Sequence, residues 1–437
     1  MTSPPARPDP AALMRSRPYV GLLLISALLG APIAAVAYYF LKLTDLLQHW
    51  TYSDLPTAVG FSAEPIWWPL LPLATAGITV ALIVRYLPGG GGEVPILGFH
   101  AGAPPVRVTL PGIVAAALVS IGLGAVIGPE GPLVAIGGGL AYLMVGAVRK
   151  MPDAGRRVVA GSGSFAAIST LLGTPLAAAF LLMEASGLAG AMATAVLLPG
   201  LLAAGIGALI FTGLDSATGF GTFSLAIPNL PSAGTPTISE FGYAIALGLL
   251  AAALCWAIRR LALLVGGVVA RRLLVVTTLV GLAIAGLAIL YAEVTGHPTS
   301  DVLFSGQAAL PAVVDHAQQY SVGALLLLIA CKGLGYAGAL VAFRGGPTFP
   351  AVFIGAAGGM LASHLPGLSL VAGVAMGLGA MTAGMLRLPF TAVLLATLVV
   401  GSDGFAVIPL TIVAVVVCHV ATMHVTERGP ATAPTPP

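Results

Sequence analysis

The sequence predicts an all-α, polytopic membrane protein made of two inverted halves with many tilted and broken helices. Three observations predict it. Of 437 residues, 58% are hydrophobic and 8% charged, with mean hydropathy +1.03. A soluble domain carries about 25% charged residues, so this chain lacks the surface a soluble protein of its length needs. Its apolar segments are also repeatedly punctuated, with 57 Gly and 34 Pro. Finally, a short Gly-Pro motif of the first half returns in the second.

The elements follow in order. A Pro-rich start, 1–17, leads into an apolar run from Val20 to about Leu41, read as a retained helix because no cleavage site follows. Crossing a bilayer takes about 20 apolar residues. Segments 18–44, 67–86, 187–212, 239–263, 272–292, 321–341 and 404–424 satisfy this. Segments 109–126, 131–148, 159–172, 174–186, 350–363, 367–384 and 388–400 are shorter. Short pieces interrupted by Gly and Pro suggest discontinuous helices lining a site. The expected organisation is a cytoplasmic segment 1–17, a first membrane repeat 18–215, a linker 216–238, a second repeat 239–425 and a tail 426–437.

Charge sets the orientation. Arg7, Arg15 and Arg17 precede the first span, and Arg149, Lys150, Arg156 and Arg157 share one loop. Arg259, Arg260, Arg271 and Arg272 flank another region, while Asp45, Asp54 and Glu64 lie where Lys and Arg are sparse. By the positive-inside rule the basic loops and the N-terminus face the cytoplasm. The net charge of +3 is too small to argue for nucleic acid. Cys255, Cys331 and Cys418 are scattered in apolar segments and read as small buried hydrophobes. Neither they nor His100, His297, His316, His364, His419 and His424 have metal-ligand spacing, so no metal and no cofactor are expected.

The repeat is specific. GPEGPLVAIG begins at Gly128 and GPTFPAVFIG at Gly346, pairing Gly128 with Gly346, Pro129 with Pro347, Pro132 with Pro350 and Gly137 with Gly355. Downstream, Pro175 pairs with Pro389, Ala166 with Ala380 and Leu181 with Leu395. Two matches in one order, at offsets of 218 and 214 residues, indicate the halves of a transporter-like fold.

The motif suits an anion. Pro129, at a first helical position, lacks an N–H that would go unused there. The amides of Glu130 and Gly131, and in the second half those of Thr348 and Phe349, then stay free. A helix start carries several orphan N–H groups and about half a positive charge, a ready anion site. No buried Lys or Arg is required, so the ion is not held too tightly to leave. Glu130, an intramembrane carboxylate, can occupy the place a permeating anion would take and leave it on protonation or displacement. A third Gly-rich turn, Gly89 to Gly92, precedes Glu93-Val94-Pro95.

At these residues the chain resembles the CLC family of chloride channels and proton-coupled chloride antiporters, over about 18–425. The family's three ordered motifs, of the kinds GSGIP, G(K/R)EGP and GxFxP, appear as Gly91 to Pro95, Gly128 to Pro132 and Gly346 to Pro350. The resemblance implies a homodimer with one pore per subunit and a gating glutamate at Glu130. It implies an anion path at Gly91, Gly92, Gly128, Pro129, Glu130, Gly131, Gly346, Thr348, Phe349 and Pro350, with chloride or fluoride as the bound ion.

Several family features differ. Gly92 stands where the family places a serine, Glu93 where it has Gly, and Pro129 where it has a basic residue. Thr348 replaces a Phe, and its hydroxyl is a candidate substitute for the missing serine. The inner proton acid of the antiporters falls on Ala185, with Glu184 just before it as a candidate on the proton path. The late tyrosine of the inner site has no counterpart after Tyr336. Lys332 and Arg387 lie in apolar surroundings, where they either raise the local potential or snorkel.

The expected function is passage of small inorganic anions, chloride first, across a bacterial-type inner membrane, with protons as an open partner. A proton-coupled fluoride exporter of the same family is the alternative. A cation or organic-solute transporter with broken helices is a further one, disfavoured by the paired Gly-Pro helix starts. No nucleophile-base arrangement suggests an enzyme.

Overall fold

The computed structural model describes residues 10–98, 104–146, 151–187, 190–219, 226–227, 230–232, 234–401 and 404–426. The expectations resting on Arg7, His100, Arg149, Lys150, much of the linker and the tail beyond residue 426 lie outside them. The described residues are helical, joined by turns and one isolated β-bridge.

The helices are α1 (Pro10–Met14), α2 (Arg17–His49), α3 (Leu55–Ala58), α4 (Leu70–Tyr86), α5 (Leu110–Gly122), α6 (Glu130–Gly146), α7 (Asp153–Leu172), α8 (Pro175–Ser186) and α9 (Gly190–Thr218). They continue with α10 (Ile238–Val269), α11 (Leu273–Thr295), α12 (Leu310–Asp315), α13 (Val322–Ala342), α14 (Thr348–Ala362), α15 (Leu370–Leu386), α16 (Pro389–Val400) and α17 (Gly404–Thr426). In order, α5 to α9 correspond to α13 to α17, each set closing with a 12-residue helix, α8 or α16, and a longer one, α9 or α17.

Local chemistry explains the boundaries. Thr237 and Glu240 form a reciprocal capping box that starts α10. Ser321 and Ser369 accept the amides of Ala324 and Ala372 and start α13 and α15. Pro175 and Pro389 open α8 and α16 at their first turns, where a missing N–H costs nothing. Helix α7 ends at Gly173 with φ 67 and α15 ends at Arg387 with φ 61. The left-handed cap is thus kept in both halves, although only one has glycine there.

Several boundaries differ from the sequence reading, among them the end of α2, which runs to His49 rather than 44 and so takes in Asp45. Among the described residues six helices are long and apolar enough to cross a membrane, and 67–86 is not one of them: α4 begins only at Leu70 and has 17 residues. Helix α7 starts at Asp153 rather than 159, because Arg156 lies over the Tyr142 ring, 4.4 Å from its centroid, and so its polar first turn packs. Helix α9 runs on to Thr218, into the expected loop. Pro129 and Pro347 stand one residue before their helices, which begin at Glu130 and Thr348.

The chain forms two compact units. One comprises Met1–Lys42, His100–Leu110 and Leu133–Ser224; the other comprises Leu43–Phe99, Pro111–Pro132 and Leu225–Pro437. In the first, α6 and α7 cross at Gly137 and Gly163, where a Cβ on either glycine would run into the other's carbonyl oxygen. In the second, α14 and α15 cross at Gly355 and Gly377 in the same way, and again at Gly359 and Gly373. These are repeat-related pairs. Lipid tails are as apolar as Leu, so helices in a membrane associate through close packing and favour small residues at the crossing.

Candidate functional site

The two motif starts meet in the second unit. The amide of Gly128 donates to the Gly346 carbonyl at 2.8 Å and the amide of Gly346 donates to the Gly128 carbonyl at 2.6 Å. This reciprocal antiparallel bridge joins equivalent residues of the two repeats, as a local two-fold relation between them would.

Glu130, in the first turn of α6, caps not its own helix but α14. Its Oε1 accepts the amides of Thr348 at 2.6 Å and Phe349 at 3.0 Å. These are orphan amides at the start of α14, and the carboxylate satisfies them as an anion would. Charge-assisted bonds of this kind contribute about 1.5–3 kcal/mol each, and the helix end adds up to ~2 kcal/mol in a buried geometry. Glu130 is fully buried, and its Oε2 has no hydrogen-bond partner. The carboxylate is therefore held from one side only.

Glycine is required around it. A Cβ on Gly128 or on Gly346 would collide with Glu130 Oε2. One on Gly131 would lie 2.8 Å from the Gly345 carbonyl oxygen. Three motif glycines thus make the space that the carboxylate and the opposed backbones fill. Thr348, the repeat equivalent of Glu130, is buried with its Oγ1 unpartnered. Phe349 and Pro350 are buried in the first turn of α14.

Two further groups brace this centre. The Tyr336 hydroxyl, from α13, donates to the Pro347 carbonyl at 2.6 Å. The sequence reading found no tyrosine after Tyr336 and did not anticipate that Tyr336 itself reaches the third motif. Lys332, one turn earlier, does not snorkel. It is fully buried, and its Nζ donates to the carbonyls of Asp301, Val302 and Leu303 at 2.9, 3.1 and 3.0 Å. The turn it pins continues to Phe304, whose amide donates to Gly124 just upstream of the Glu130 motif. The pinned turn is thereby tied to the Glu130 segment.

The first motif forms a tight turn in which Gly89, Gly90, Gly91 and Gly92 all have positive φ, between 56 and 97. Glycine alone adopts such a run without strain. Gly91 packs against Ala116 and the Arg344 stem, Gly92 against Ile113. Glu93 is exposed. Arg344 went unremarked in the sequence; the available signal was a lone cation two residues before the third motif, inside an apolar run. Glu184 and Ala185 lie half-buried at the end of α8, in the other unit.

Outside the membrane helices, Glu64 accepts the Thr299 hydroxyl at 3.2 Å. Burial pushes its carboxyl up to about 7, against a smaller opposing effect of that hydrogen bond.

Comparison with known proteins agrees with this geometry. Residues 96–422 match the family described as Voltage gated chloride channel. A Shigella boydii protein named "Putative ion-transport protein YfeO" is 30% identical over 359 residues, covering 80% of this chain and 81% of that one. Among solved structures, a slow cyanobacterial Cl-/H+ antiporter superposes with TM-score 0.74 at 19% identity, covering 93% of this chain and 97% of its own. A CLC-type fluoride/proton antiporter gives TM-score 0.71 at 21% identity, covering 92% and 96%. These two likenesses concern the fold. With three quarters of its length matched, a multi-pass helical fold and two opposed helix starts sharing one carboxylate, the chain belongs to the voltage gated chloride channel family.

Proposed function

We propose that this protein passes a small inorganic anion, chloride first, over the start of α14, and that Glu130 gates the passage as a tethered anion. One observation carries the reading: Glu130 Oε1 sits on the amides of Thr348 and Phe349. A chloride at that place would exchange hydration for the same two N–H groups and the same helix end. Protonating Glu130 removes the charge that the amides hold and so loosens the carboxyl from the start of α14. Gly128, Pro129, Gly131, Gly346 and Pro350 shape the position; Gly91 and Gly92 belong to its approach.

Coupling to protons is the finer question. Ala185 stands where an inner acid would be expected, which supports an uncoupled conductor with Glu184 as a helix-end carboxylate. A fluoride path is the second reading, supported by the unpartnered hydroxyl of Thr348, a compact donor suited to a small, hard anion. A homodimer is expected from the family, and the mass of the detergent-solubilised protein tests it. Efflux of chloride and of fluoride from proteoliposomes, read with ion-selective electrodes, separates the two anions. Chloride efflux well above that of empty liposomes supports the first reading, and fluoride efflux alone the second.

A further inference from the structure

We propose that Arg344 forms an anion-binding position of its own, beside the Gly-rich turn at the cytoplasmic approach to the Glu130 site. This deepens the function proposed above and rests on it. The ligand class is the permeating monovalent inorganic anion.

Arg344 is only 8% exposed. Its Nε donates to the Gly90 carbonyl at 3.3 Å and its Nη1 to the Phe343 carbonyl at 3.2 Å. Its own amide donates to Ser120 Oγ at 3.1 Å, which fixes the backbone. Among the described residues the third nitrogen, Nη2, has no partner, and it is not among the atoms sealed from solvent. Among the described residues no carboxylate pairs with the guanidinium; the nearby acid of the first motif, Glu93, is exposed and makes no ion pair. A buried cation without a counter-charge is costly. A purely structural tie between two loops would need only neutral donors. The arrangement is balanced when a mobile anion completes it.

Position supports the same assignment. A Cβ on Gly91 would meet the Ala116 Cβ at 2.9 Å and the Arg344 Cγ at 3.4 Å, so the arginine stem packs directly against the first-motif turn. The guanidinium thus reaches the first-motif turn from the third motif, four residues before Thr348. The turn follows the end of α4, where Arg85, Arg271 and Arg272 line one pocket with Tyr86. That basic end is cytoplasmic by the positive-inside rule. Arg344 and Glu130 then mark two successive positions on one path: a fixed cation that gathers the anion, and a tethered anion that must yield to it.

The test uses the full-length protein in detergent, equilibrated in gluconate and titrated calorimetrically with sodium chloride, alongside chloride efflux from proteoliposomes. Arg344→Gln keeps one side-chain N–H donor for the Gly90 carbonyl and removes the charge; Arg344→Lys keeps the charge. Losing one charge-assisted hydrogen bond corresponds to roughly a tenfold or greater loss of affinity. R344Q is expected to weaken chloride binding and raise the KM of efflux by about that factor, with R344K close to wild type. Binding within twofold of wild type in R344Q, or equal losses in R344Q and R344K, would overturn the proposal. Should R344Q not fold, bromide soaked into wild-type crystals decides: anomalous density beside Nη2 supports the site, and density only at the start of α14 removes it. Binding without efflux in the wild type would defeat the transport reading and leave the Arg344 site standing. Efflux with an indifferent R344Q would do the reverse.

Discussion

Gly346 shows how much one hydrogen atom decides. Its Cα faces Glu130 Oε2, and any Cβ there takes the place of the carboxylate. Gly346→Ala should therefore displace Glu130 from the amides of Thr348 and Phe349. The expected outcome is chloride efflux that no longer depends on acid, with a stability loss of about 1–3 kcal/mol from overpacking, both measurable on one preparation. Glu64 gives a prediction of a different kind. Its carboxyl, raised by burial from 4.5 to about 7, binds more protons folded than unfolded between those values. Its contribution to stability is full at low pH and is lost as pH rises through about 7. Glu64→Gln should raise the unfolding midpoint more at pH 8 than at pH 5; an equal shift at both would contradict the assignment. At this scale the sequence reveals groups that break a local rule. Glu130 is legible because a charge in an apolar Gly-Pro stretch demands a reason. Arg344 and Tyr336 are not, because their roles depend on which backbone carbonyls the fold brings to them.

At the scale of elements, the repeat is written in glycine. Gly137 with Gly163 and Gly355 with Gly377 make equivalent helix crossings, each with backbones too close for a side chain. Gly377→Val should part α14 from α15, move the amides of Thr348 and Phe349, and cost more than the typical 1–3 kcal/mol of overpacking, since the obstacle is backbone. A thermal unfolding scan checks it, with Gly358→Ala as control because no atom lies within 4 Å of a Cβ there. Helix existence was readable from apolar runs and proline starts throughout α5 to α9 and α13 to α17. Boundaries were less so where polar residues pack: Arg156 on Tyr142 draws α7 back to Asp153. The paired prolines were placed one residue too far inside their helices, because sequence does not fix which turn the chain takes after the Gly128–Gly346 bridge.

For the whole molecule, the inverted arrangement explains why an acid on one helix caps another. Gly128 and Gly346 exchange both hydrogen bonds, so each half presents a helix start beside that of the other. Breaking the equivalence at one pair, Glu130 and Thr348, leaves a charge on one side and a free hydroxyl on the other. The inner position held by Ala185 predicts that an imposed chloride gradient drives no proton movement in proteoliposomes; stoichiometric proton flux would contradict an uncoupled path. The central claim, that the Glu130 carboxylate occupies the anion's own place, is tested most directly by chloride efflux across a pH series in wild type and Glu130→Gln. Wild-type efflux should rise as pH falls, and E130Q efflux should be fast and independent of pH. An E130Q protein that keeps the wild-type pH profile would contradict it.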